Sequence, residues 1–98
     1  VIVSMTPRNE WPGGKMERRP GSCATWAKEV ADELGVAFVD MHNLTADYLD
    51  RKEGSKEKAA KYYKRDHTHT SLLGAQLNAK MFRKGIKQTD CDLKKLMK

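Results

Sequence analysis

With 98 residues, the chain holds one small domain or part of a larger one. Its apolar content, 39%, is broken into short runs, none near the roughly 18 residues that a membrane span needs, so no membrane partner is expected. The net charge of +6 admits anionic partners, but there is no zinc-finger spacing and no RNA-binding aromatic pattern, so nucleic acid is not expected as a partner either.

Val1 to Met5 is an apolar run that reads as a strand buried on both faces. A chain that opens inside such a strand is expected to be a piece of a longer parent. Thr6 to Gly14 is a loop rich in breakers, and its Arg8-Asn9-Glu10-Trp11 segment follows the carboxyl end of the strand, where open α/β sheets bind ligands. Trp11 can stack on a sugar ring and Arg8 can meet a uronate carboxylate. The competing reading is a surface loop anchored by Trp11.

Ser22 is a plausible N-cap for a helix over about residues 22–34, with Cys23, Trp26, Ala27, Val30, Ala31 and Leu34 at helical spacing and Gly35 to end it. Val36 to Asp40 reads as a second buried strand, which completes a βαβ unit. Helix formers fill about residues 44–53 and 55–64, with a break at Gly54, and the tyrosines there (Tyr48, Tyr62 and Tyr63) read as packing residues. The final helix starts near Ser71. Leu72, Ala75, Ala79, Phe82 and Ile86 form its expected buried face, supported by Leu73, Leu77 and Met81, with Gly85 weakening its end. A two-stranded sheet is marginal alone, so the pattern looks like the C-terminal part of an α/β sandwich. Cys23 and Cys91 can pair with each other, stay free, or pair elsewhere. The late basic residues, Lys80, Arg83, Lys84, Lys87, Lys94, Lys95 and Lys98, fit either a solvated face or contact with an anionic polymer.

The run Asp66-His67-Thr68-His69-Thr70-Ser71 carries the chemistry. In a compact turn, residues three apart meet, so Asp66 can accept the Nδ1–H of His69 and leave Nε2 free as a general base. Thr70 or Ser71 can cap the helix that follows. The bare Asp-x-x-His spacing is also that of a capping carboxylate beside a surface histidine. His-x-His with His42 as third ligand is a weak metal signal, and neither metal nor cofactor is expected.

The stretch Asp66 to Ala75 resembles the last block of the SGNH (GDSL-like) hydrolases, and is most similar to the rhamnogalacturonan acetylesterase branch, where a D-H-T-H-T-S-x-x-G-A string opens the final helix. Val1 to Trp11 is similar to a strand ending in a T-P-x-N-x-W-like loop, Val36 to Asp40 to a V-x-F/Y-V-D strand, and Cys91 to Lys94 to the family's C-terminus. The resemblance covers nearly the whole chain, and the Asp66–Ala75 string is its specific part. It implies a three-layer α/β/α sandwich with parallel strands, of which residues 1–98 supply two strands and three to four helices.

By position, the resemblance implies that Asp66 is the triad aspartate and His69 the triad histidine. The family's serine sits in a Gly-Asp-Ser motif, and a glycine and an asparagine complete its oxyanion hole. None of the three is identifiable here, because Ser4, Ser22, Ser55 and Ser71 lack the motif and Asn9 lies in the wrong loop. The expected function is a share in a secreted or periplasmic serine esterase that deacetylates a pectin-type polysaccharide, rhamnogalacturonan, with the chain inactive alone. Arg8, Asn9 and Trp11 are its candidate substrate contacts. The expected partners are an acetylated acidic polysaccharide and the N-terminal part of the same parent. The alternative is an inactive fragment that binds carbohydrate or protein.

Overall fold

The computed structural model describes residues 1–18 and 23–97, the side chains of Cys23 and Ala24 excepted. Ser22, the expected cap of the first helix, the side chain of Cys23, and Lys98 lie outside the described residues. Cys91 is a free cysteine packed against the core.

The order of elements is β1 (Ile2–Val3), α1 (Cys23–Leu34), β2 (Phe38–Val39), α2 (Met41–Lys52), α3 (Lys56–Ala59) and α4 (Leu72–Lys87). Single 3₁₀ turns span Pro12–Gly14, Ala60–Tyr62 and Asp92–Leu96. The two strands are parallel, with Ile2 opposite Phe38 and Val3 opposite Val39. The class is therefore α/β with two parallel strands and four helices, as the sequence led us to expect.

The strands are shorter than the apolar runs predict, and β1 is not buried on both faces: Val1, Val3 and Met5 are exposed. Among the described residues its sole strand partner is β2, so its other edge carries unpaired backbone groups.

α1 ends where Gly35 takes a φ of 65°, a left-handed conformation that lets Val36 N–H reach the carbonyl of Ala31 at 3.0 Å. α1 packs on both strands, but through small residues: Ala31 is fully buried while Trp26, Val30 and Leu34 face solvent. α2 begins earlier than expected, because the Asp40 carboxylate accepts the N–H of Asn43 at 3.1 Å and so caps the helix at the end of β2. The loop after Gly14 is tied to α2 by Asp50, which accepts Met16 N–H at 2.7 Å and pairs with Arg18 at 2.7 Å.

The core joins β2, α2 and α4 through Met16, Val39, Met41, Ala46, Leu49, Tyr62, Tyr63, Leu77, Met81 and Ile86. Val39, Leu49 and Ile86 are wholly buried, each worth about 1.5–3 kcal/mol of transfer free energy. Tyr62 and Tyr63 are core residues, as their packing role predicts.

α4 corrects the expected helix face. Leu72, Leu73, Ala75 and Ala79 are exposed, and the buried side is Gly74, Leu77, Met81, Gly85 and Ile86. Gly85 does not weaken an end, since the helix runs on to Lys87. A Cβ there would lie 2.5 Å from Val39 Cγ1, so the missing side chain is what lets α4 seat on β2. Gly74 plays the same part at the other end, where a Cβ would overlap the carbonyl oxygen of Tyr62. Apolar periodicity overlooks both positions because it weighs large side chains.

Candidate active site

Residues 63–71 form a closed turn between the 3₁₀ turn at Ala60–Tyr62 and α4. Tyr63 and Thr70 make an isolated antiparallel bridge, and Lys64 N–H donates to the carbonyl of His69 at 2.8 Å. Ser71, not Thr70, caps α4. Its Oγ accepts Gly74 N–H at 3.2 Å and donates to the carbonyl of Lys61 at 2.7 Å. The cap therefore also fastens the start of α4 to the preceding turn.

Inside this frame Asp66 turns back on the residues that follow it. Oδ1 accepts the N–H groups of Thr68 at 2.9 Å and His69 at 2.7 Å, and Oδ2 lies 2.6 Å from Nδ1 of His69. The ring contact of His69, followed by the His69 and Thr68 amides, holds the Asp66 carboxyl far below the usual carboxylate range. An ionised Asp66 only accepts hydrogen bonds, so Nδ1 carries the ring proton and Nε2 is left as an acceptor. His69 is 74% exposed, which leaves Nε2 open to a partner brought from outside the turn. The arrangement can take a proton and steady the resulting imidazolium.

His67 points elsewhere. Its Nε2 lies 3.2 Å from Glu10 Oε1, and its carbonyl accepts Asn9 N–H at 2.8 Å. Loop 7–11 is thus brought against the turn, and Tyr63 OH donates to the carbonyl of Pro7 at 2.7 Å.

The three candidate substrate contacts on that loop differ. Arg8 is exposed. Trp11 is half-buried against the core, with its Nε1–H on Asn9 Oδ1 at 2.7 Å. Asn9 is buried, and its Nδ2 also donates to the carbonyl of Lys56 at 3.3 Å, so both ends of its amide are engaged within the fold. Sequence reasoning missed these ties because they have no period, and the bond from Asn9 to Lys56 joins loops 47 positions apart. The cap by Asp40 did have a signal, an aspartate closing a strand just before helix formers.

His42 is buried on α2, with both ring nitrogens lacking a hydrogen bond. Among the described residues no group of three His, Cys, Asp or Glu is placed to hold a metal ion. Among the described residues no helix is long and apolar enough to cross a membrane.

No family model matches the chain, and no solved structure matches it. A curated protein does: the rhamnogalacturonan acetylesterase of Emericella nidulans is 30% identical over 86 residues, which is 88% of this chain. Over most of its length the chain is thus similar to a rhamnogalacturonan acetylesterase, the branch that its Asp66–Ala75 string resembles. It spans about a third, 34%, of the length of that acetylesterase. The aligned share takes in most of the fold described above, so similarity to the acetylesterase does not rest on the Asp66–Ala75 string alone.

Proposed function

We propose that this chain supplies the aspartate and histidine of an SGNH-type serine esterase whose longer parent removes acetyl groups from rhamnogalacturonan. The observation that carries the reading is the Asp66–His69 contact, 2.6 Å between carboxylate and Nδ1 at the mouth of a capped helix. His69 Nε2 takes the proton from a serine hydroxyl of the parent as that oxygen attacks the acetyl carbonyl, and Asp66 steadies the imidazolium. His69 then returns the proton to the leaving sugar oxygen. Water, activated by the same nitrogen, releases acetate from the acyl-serine.

The chain acts here with a nucleophile-bearing N-terminal part of the same parent and is inactive alone. The unpaired edge of β1 and the outward Trp26, Val30 and Leu34 support such a cover, since an apolar stripe of this kind is normally buried. Arg8 and Trp11 are the proposed contacts to the acidic polymer, and Asn9 holds Trp11 in place. A polymeric substrate calls for a secreted or periplasmic enzyme.

The test is acetate release from acetylated rhamnogalacturonan by the full-length parent. His69→Ala should lower kcat by about 10⁴-fold or more. Unchanged turnover would overturn the assignment.

A further inference from the structure

Four consecutive side chains of the candidate turn, Asp66 to His69, are exposed, and none of them joins the core. Exposed hydrogen bonds inside the turn compete with water, so by themselves they hold neither its shape nor its place on the protein. A general base works only when its position is held to a fraction of an ångström, so something outside the turn must hold it.

Tyr63 ties the base of the turn to Pro7, and within the exposed stretch Asp66 to His69 it is His67 that reaches outside. Its carbonyl accepts Asn9 N–H at 2.8 Å, and its Nε2 lies 3.2 Å from Glu10 Oε1. One residue of the turn therefore grips two neighbouring residues of loop 7–11. That loop is itself fixed: Asn9 Nδ2 donates to Lys56, Trp11 Nε1 donates to Asn9, and Glu10 accepts Glu17 N–H at 2.8 Å. The backbone grip is open to any residue at position 67. The side-chain grip needs a donor of imidazole reach.

We infer that His67 is a positioning residue for His69, and that it acts through Glu10 by clamping the Asp66–His69 turn to loop 7–11. The two histidines of the turn thus have separate tasks, one facing a reactant and one facing the protein. The inference rests on the esterase reading for its purpose, though not for its geometry. At 47% and 35% exposure the pair adds little to stability, so its effect is on placement.

The test is the ¹⁵N-resolved histidine spectrum of this 98-residue chain, which reports how much of His69 carries its proton on Nδ1. His67→Ala and Glu10→Ala should each lower that fraction at least twofold. The double variant should lose no more than either single one. His67→Gln, whose amide N–H can reach Glu10, should retain most of the signal. An unmoved His69 signal in both alanine variants, or losses that add in the double variant, overturns the clamp. Should His67→Ala fail to fold, Glu10→Ala decides alone. No nucleophile is needed for this measurement. A parent that releases no acetate overturns the esterase reading and leaves the clamp standing, whereas an unmoved spectrum overturns the clamp and leaves the esterase standing.

Discussion

Asp66 holds His69 at two points, with one carboxylate oxygen 2.7 Å from its backbone N–H and the other 2.6 Å from its Nδ1. The backbone contact sets where the ring starts and the side-chain contact sets how it is turned. Both are strongest when the carboxylate is ionised. The folded state favours that form, first through the His69 ring and then through the His69 and Thr68 amides, so the folded pKa lies below the unfolded one. The resulting stabilisation is complete above the ordinary carboxylate value of 3.8 and is lost as the pH falls through the folded value. A ¹³C titration of the side-chain carboxylates should find Asp66 still charged where exposed carboxylates have taken up protons.

Asp66→Asn keeps an oxygen for the backbone N–H groups but offers the His69 ring a weaker, uncharged partner. In the full-length parent it should cost about 10⁴ in kcat, the scale on which a wrong histidine tautomer acts in a serine triad. Acetate release measured beside far-UV dichroism would separate this loss from unfolding.

Tyr62 and Tyr63 set the alkaline limit. Burial, joined at Tyr62 by the hydrogen bond to Glu53 at 3.0 Å, pushes both phenols up to about 12. Their folded pKa lies above the unfolded value of 10.0, so the stability they give is whole below that value and is lost as the pH rises through about 12. The phenolate absorbance of Tyr62 and Tyr63 should appear only together with loss of the fold, which far-UV dichroism recorded on the same samples would show.

Asn9 decides between a substrate contact and a strut. Asn9→Ala strands the indole N–H of Trp11 and the carbonyl of Lys56, and should destabilise the chain by about 1–3 kcal/mol. Urea unfolding measures this directly. A variant as stable as the parent chain would show that the amide is free for other work.

The outward stripe of α1 should be removable. Trp26→Lys and Val30→Lys change exposed positions and should alter stability by no more than about 0.5 kcal/mol. The same pair should reduce concentration-dependent association of the isolated chain in sedimentation velocity.

Much of the scaffold was legible in local chemistry. Gly35 marked the end of α1, the apolar runs located both strands, and Asp66 lay at the spacing that meets a histidine three residues on. Ser71 was readable as a cap because a hydroxyl preceded an apolar helical run. The buried side of α4 was legible only in part: Leu77, Met81 and Ile86 are buried as expected, but Gly74 and Gly85, whose contribution is an absent side chain, were not foreseen. Nor was the engagement of Asn9, whose partners, Trp11 and Lys56, depend on how loops meet in space.

Gly74 and Gly85 lie on one side of α4, about three helical turns or some 16 Å apart. The helix rests like a beam on two bare bearings, one beneath the Asp66–His69 turn and one on Val39. A methyl added at Gly85 would raise the far bearing and tilt the near one. Gly85→Ala should therefore disturb His69 from the opposite end of the helix, without touching it. The reach of the candidate base is thus indexed to a strand through a residue that has no side chain and no chemistry of its own.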